Sequence, residues 1–301
     1  MATASNAHER TPLQGASQNP RALHWAALIA GNVALALGPW SVRLADSGPV
    51  SAGFWRLVLA LPIIWLIARG VRQPVLGAPR RTAWLVALGA IAFALDLASW
   101  HVGIEHTRLG NATLFGNAGS IVLLFWGIVI ARTMPARAEW AAIVLALGGA
   151  AILLGRSAQI SADTLMGDLF CITAGMLYAI YLLCLQDARK GLGGWSLLVR
   201  VCCIAAPVLL AVALLRGEPV WPHDWTPLIV LALLSQVAGQ GLLVFALRAF
   251  PPMIIGLALL MQPAVAVLSG YLAFGETLGL LDLVGMAMVG TALAVARARV
   301  G

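Results

Sequence analysis

Asp96 is an acid in the middle of an apolar stretch, ALGAIAFALDLASWHVG, followed by Ser99, Trp100 and Gly103 at i+3, i+4 and i+7. That spacing puts the four on one face of a helix. A carboxylate placed so can hold an ammonium group or carry a proton. The plainer role is helix packing, with hydrogen bonds to a neighbouring Ser, Asn or Trp. His101 points about 100° away from Trp100 and fits a packing histidine better than a proton relay. Asn117, Gln240 and Gln262 bring amides to similar depth, as do Asn32, Ser120, Ser235 and Gln236 among the smaller and neighbouring polar groups. Amides and hydroxyls glue apolar helices at below about 1 kcal/mol each. Lining a cavity, the same groups bind the carboxylate and ammonium of a zwitterion. Tyr178 and Tyr181 are three apart and share a face; with Trp100 they would wall an aromatic pocket, unless they serve only packing or interfacial anchoring. Arg56 and Arg200 sit at mirrored depths, Arg56 about 9 Å from the end of its segment. They either snorkel to the nearest interface or pair with loop acids such as Asp46 or Asp187 as gates.

Other chemistry is missing from the sequence. There is no HExxH, no Ser/His pair and no facing pair of aspartates, so an intramembrane enzyme lacks its clustered groups. No GxxxxGK[ST] loop is present, which excludes ATP-driven pumping by this chain alone. Cys171, Cys184, Cys202 and Cys203 lie in apolar runs without CxxC or metal spacing; they read as small apolar filler. Neither a cofactor nor a metal ion is expected. A selective channel would show rings of charge or a repeated filter motif. A nucleotide-sugar carrier would need several cavity-facing cations for its phosphates, and Arg56 and Arg200 lie off-centre.

The elements that hold these residues follow from composition. Of 301 residues, 61% are hydrophobic and 10% charged, with mean hydropathy +0.91. Soluble domains carry about 25% charged residues, so this is an integral membrane protein and lipid is a partner. A crossing takes about 20 residues, and continuous apolar runs exclude the alternation of a β-barrel. Ten helices are expected, near 22–42, 50–68, 82–104, 109–131, 138–155, 165–185, 195–215, 226–247, 252–274 and 280–298. Residues 1–21 are polar and read as a disordered tail. The net charge of +7 sits in short loops without a basic patch among exposed aromatics, so nucleic acid is not a partner. With the N-terminus inside and alternation thereafter, 13 basic residues fall inside, among them Arg69, Arg80, Arg81, Arg137, Arg189 and Lys190, against four outside, Arg43, Arg108, Arg156 and Arg216. By the positive-inside bias both termini are cytoplasmic.

The two halves can be superposed in order. Arg56, Pro62 and Arg69-Gly70 answer to Arg200, Pro207 and Arg216-Gly217. Thr82–Thr107 aligns with Thr226–Pro251 without a gap, setting Asp96 against Gln240, and Gly149 stands opposite Gly290. Five helices is an odd number, so the second half enters the membrane inverted. The expected organisation is an all-α membrane protein with a tail (1–21), a first five-helix repeat (22–155) and a second, inverted one (156–301). Inverted repeats build secondary transporters with a substrate site near the midplane. Pro39, Pro207, Pro251, Pro252 and Pro263 should kink or bound their helices. Ala142-Ala146-Ala150 and Gly290-Ala294-Ala298 are small-residue stripes permitting close approach in a scaffold or a homodimer contact; the assembly is a monomer or homodimer.

Gly53-Phe54-Trp55-Arg56-Leu57 opening helix two, Gly110-Asn111-Ala112-Thr113-Leu114 opening helix four, and Met261-Gln262-Pro263-Ala264 with Gly275-Glu276 around helix nine resemble the drug/metabolite transporter superfamily, EamA-type exporters. The resemblance covers about residues 22–298. Glu276 has no counterpart after helix four, where Arg132-Thr133-Met134-Pro135 stands. The resemblance implies export of a small-molecule substrate from the cytoplasm by alternating access, secondary active or facilitative. Family substrates include amino acids, drugs and other metabolites, and the chain looks most like the bacterial aromatic amino-acid exporters. The alternatives are a multidrug or organic-cation efflux carrier and a non-transporting intramembrane enzyme or scaffold.

Overall fold

A backbone in hydrocarbon has to satisfy its own hydrogen bonds, so each apolar run closes into a helix. The computed structural model describes residues 22–107, 109–155, 163–274 and 277–300. It contains ten crossings: α1 (Ala22–Val42), α2 (Pro49–Gly70), α3 (Arg80–His106), α4 (Asn111–Ala131), α5 (Arg137–Gly155), α6 (Leu165–Ala188), α7 (Gly194–Leu215), α8 (Thr226–Ala246), α9 (Pro252–Ser269) and α10 (Leu280–Arg299). Among the described residues there is no strand. The tail 1–21, Arg108, Arg156 and Glu276 lie outside the described residues.

Helix packing obeys the repeat. α3 lies along α6 as α8 lies along α1, and α3 meets α7 as α8 meets α2. α2 pairs with α7, α4 with α9, and α5 with α10. Exchanging each helix with the one five places on leaves these pairs unchanged, as a two-fold axis in the membrane plane demands. The capping chemistry is repeated too. Glu139 and Asp282, both buried near the starts of α5 and α10, accept the backbone N–H of Ala136 and Gly279 at 3.0 and 2.8 Å. These carboxylates sit where helix N-termini favour negative charge.

Two clasps join the repeats, one at each face. At the face away from residue 22, Ser51 N–H donates to Glu218 (3.0 Å), Gly48 N–H to the Pro219 carbonyl (2.9 Å) and Trp55 Nε1 to the Val220 carbonyl (2.6 Å). Arg216 bridges Glu218 and Glu105 at 2.8 and 2.7 Å. At the other face Gln73 Oε1 accepts the N–H groups of Trp195 and Ser196 at 2.9 and 3.1 Å, and the Ser196 hydroxyl donates to the Pro74 carbonyl. In each clasp a side chain after the second helix of one repeat caps the second helix of the other. Losing a cap costs about 0.5–2 kcal/mol. Glu218→Ala and Gln73→Ala are each expected to lower the thermal midpoint in detergent, additively because the sites are remote. Unchanged midpoints in both variants would show that the clasps do not hold the halves together.

Some details depart from the sequence reading. Pro207 does not bound its helix, since α7 continues through it. Gly149 meets Gly285, whose carbonyl would lie 2.7 Å from an added Cβ, whereas Gly290 faces open space. Asp282, Gly285, Val289, Ala292 and Ala296 form the buried side of α10, and Gly290, Ala294 and Ala298 are exposed. The buried Asp282 cap turns that side inward, and Gly290 lies about 140° round the helix from Gly285. Ala142, Ala146 and Ala150 do pack inward. Cys203 is exposed rather than filler, while the other three cysteines are buried.

Candidate functional site

Polar groups in a bilayer are tolerated where backbone or side chains line a cavity, and three broken crossings open one here. α1 is interrupted at Leu37, just before Gly38-Pro39; α4 at Asn117; and α9 at Leu260-Met261, just before Gln262-Pro263. Proline explains the first and third, since its ring removes a donor and clashes with the preceding turn. At the second, Asn117 Nδ2 donates to the Thr113 carbonyl (2.7 Å), closing the helix end on itself. The α4 and α9 breaks are equivalent under the pseudo-two-fold, and both face the same space. α8 widens into a π-helical stretch over Ala232–Gln240, a rare geometry frequent at functional sites. Gln236 and Gln240 both lie in that stretch and are buried.

The cavity has a volume of ≈ 190 Å³ and lies in the half of the bundle away from residue 22. Asp96, Trp100, Asn117, Tyr178, Gln240 and Gln262 all line it. The aligned pair Asp96 and Gln240 thus meets at one site. Tyr181 does not line it. It is fully buried one layer back, stacked on Phe93 at 4.4 Å, and its hydroxyl donates to Gln240 Oε1 at 3.0 Å. Gln240 Nε2 in turn donates to Tyr178 Oη at 3.3 Å, so the two tyrosines clamp one amide. Gln262 Nε2 donates to Asn32 Oδ1 at 3.1 Å, and Asn32 Nδ2 to the Leu28 carbonyl, tying α9 to α1.

Arg56 also lines the cavity. It is 8% exposed, Nε donates to Gln236 Oε1 at 3.1 Å, and the guanidinium lies 5.8 Å from the centre of the Phe93 ring. Its charge interacts with that of Asp96 without a contact ion pair. Snorkelling is blocked because α2 is surrounded by α3, α7 and α8, while Trp55, Trp221 and Trp225 cap the near end at 4.8–6.2 Å between rings. Arg200 lies away from the cavity and donates to the Gly77 carbonyl at 2.8 Å. The arginine–loop-acid pairs anticipated from sequence are not formed. Asp46 accepts the N–H groups of His223 and Asp224 (2.9 and 3.2 Å), and Asp187 pairs with Lys190 and Arg81. The His223 N–H is the main cause that holds the Asp46 carboxyl below the ordinary carboxylate range. His101 packs its ring against Gly53, where a Cβ would come within 3.1 Å of it; neither ring nitrogen has a hydrogen-bond partner among the described residues.

Asp96 is 8% exposed, carries no hydrogen bond among the described residues and faces the cavity. Phe93 was not singled out by spacing. Phe93 looks like any core aromatic, and only the Arg56 contact distinguishes it. Toward residue 22 the bundle is closed by fully buried Leu182, Leu185 and Phe250, with Trp25 edge-on to Phe250 at 4.6 Å.

Residues 21–155 and 165–297 each match the EamA-like transporter family. The threonine/homoserine exporter RhtA of Escherichia coli K12 is 28% identical over 240 residues, 72% of this chain and 80% of that protein. RhtA of Salmonella typhimurium LT2 is 28% identical over 229 residues, 68% and 77% of the two chains. An uncharacterized transporter of Archaeoglobus fulgidus is 25% identical over 265 residues, 88% and 92%. A protein of known crystal structure shares the fold, with TM-score 0.77 and 14% identity over 91% of this chain and 94% of the other. Both halves carry the family's pattern, and their ten helices pair as inverted repeats around one polar cavity: the chain belongs to the EamA-like transporter family.

Proposed function

We propose that this transporter exports neutral amino acids across a bacterial inner membrane by alternating access of residues 22–155 and 156–301, with both termini cytoplasmic. One observation carries the reading: a carboxyl group, Asp96, and a guanidinium, Arg56, line the same cavity with no contact ion pair between them. A zwitterion supplies the missing partners, its ammonium on Asp96 and its carboxylate on Arg56, whose planar fork suits a carboxylate. Asn117 and the Tyr178–Gln240 pair add hydrogen-bonding groups. Phe93, Trp100 and Tyr178 offer an aromatic wall to a large apolar or aromatic side chain. The similarity to threonine/homoserine exporters supports amino acids as the class and export as the direction. Positive-inside placement of the basic loops supports the orientation. In that orientation the cavity sits in the outer half, so this conformation is the releasing one.

The test is uptake into proteoliposomes of radiolabelled phenylalanine, leucine, threonine and homoserine, with one organic cation, each with and without a pH gradient. Saturable flux of phenylalanine and leucine is expected. Flux of threonine and homoserine alone would restrict the substrate to small hydroxylated side chains, and flux of the cation alone would make the protein a drug-efflux carrier. Arg56→Gln is expected to raise the KM for amino acids about tenfold or more, because a charged hydrogen bond contributes about 1.5–3 kcal/mol. Unaltered KM in that variant would remove Arg56 from the carboxylate site.

A further inference from the structure

A second cavity of ≈ 730 Å³ opens at the face that carries residue 22, where α3 begins and α4, α6 and α8 end. It is a lateral crevice. α6 packs along both α3 and α4, but among the described residues α3 and the half of α4 after Asn117 do not run along each other. Leu85, Trp126 and Ile130 line the crevice, and Trp126 and Ile130 are 45% and 57% exposed on the outside of the bundle. The apolar wall therefore continues onto the surface that meets acyl chains.

The polar end of the crevice carries three cations, Arg189, Lys190 and Arg248, against one carboxylate, Asp187. Asp187 is already engaged by Lys190 at 2.6 Å and Arg81 at 3.2 Å. Arg189 commits Nε to the Val244 carbonyl (3.1 Å) and Nη1 to the Leu192 carbonyl (2.8 Å). Arg248 is exposed, makes no hydrogen bond or ion pair among the described residues, and its charge repels that of Arg189. Like charges set close together are destabilising unless an anion joins them. Both arginines stand just past the ends of α6 and α8, at the depth of lipid headgroups.

We propose that this crevice holds an anionic phospholipid, its phosphate on Arg248 and Arg189 and one acyl chain against Leu85, Trp126 and Ile130 between α3 and α4. A soluble anion would use the arginines but has no use for an apolar wall open to the side. Basic pockets between helices at a membrane face are known headgroup sites. The site is separate from the amino-acid cavity and stands whichever substrate is carried.

Native mass spectrometry of the full-length protein, released from nanodiscs of equal phosphatidylglycerol and phosphatidylcholine, tests this. Wild type is expected to retain phosphatidylglycerol in preference to phosphatidylcholine. Arg248→Gln should reduce that retention about fivefold. Ala131→Trp, which fills the crevice and leaves every charge in place, should reduce it as well. Arg299→Gln, at the far end of α10, should not. Retention that survives excess inorganic phosphate supports a lipid. Displacement by phosphate would overturn the lipid in favour of a free anion. Equal retention of both lipids, or wild-type retention in both crevice variants once each elutes as a single monodisperse species, would also overturn the proposal.

Discussion

Asp96→Asn is expected to cut saturable amino-acid flux roughly 10- to 150-fold, the equivalent of about 1.5–3 kcal/mol for a hydrogen bond to a charged group. The substitution keeps shape and hydrogen-bonding capacity but removes the charge that meets the ammonium, and it leaves Arg56 facing the cavity without an opposing charge. An unpaired buried charge is costly, so the Asn variant should also favour anionic over zwitterionic ligands. Asp96→Glu keeps the charge and should retain part of the flux. Proteoliposome uptake across a range of pH separates two mechanisms. If Asp96 carries a coupled proton, an imposed pH gradient should drive wild type and leave the Asn variant indifferent. If export is passive, wild-type flux should ignore the gradient while the Asn variant still loses affinity. Wild-type flux in Asp96→Asn would remove Asp96 from both roles.

Gly119→Val should all but abolish recovery of folded protein. α4 and α6 cross at Gly116, Gly119 and Gly175 with backbone against backbone. A Cβ at Gly119 would overlap the Gly175 carbonyl, and one at Gly175 would lie 2.6 Å from the Gly116 carbonyl and 2.9 Å from the Gly119 nitrogen. No flexible side chain is present to give way, so the helices must separate. Overpacking typically costs 1–3 kcal/mol, and rigid backbone puts this case at or above the top of that range. The crossing also sets the distance between Asn117 on α4 and Tyr178 on α6, so any Gly119→Val protein that does fold should transport poorly. Fluorescence-detected size exclusion compares it with Gly290→Val, where nothing lies within 4 Å of the added Cβ. Equal monodisperse yields and equal flux for the two variants would show that the crossing tolerates separation.

The ten crossings and their inversion were legible because hydrocarbon leaves a backbone almost no choice. Continuous apolar runs of about 20 residues become helices, and an odd number of them per repeat reverses the second. Asp96 was legible for the same reason, since one carboxylate in a long apolar run needs a partner or a cavity. The α9 break was announced by Pro263. The α4 break at Asn117 and the π-helical turn at Gln236 and Gln240 carry no proline signal, because they depend on how neighbouring helices satisfy the freed backbone groups.

Arg56 and Arg200 mark the limit. Their types, mirrored depths and flanking motifs are matched in the sequence, yet one lines the cavity and the other ties a loop at the surface. That difference comes from what packs around each. α2 is enclosed by three helices and capped by three tryptophans, whereas Arg200 has the Gly77 carbonyl within reach of its guanidinium. Sequence alone therefore determined the fold class, the inverted repeat and the polar residues from which a site could be made. Only the tertiary structure decided which of them share a cavity, because a side chain's direction round its helix follows from the neighbours that bury the other faces.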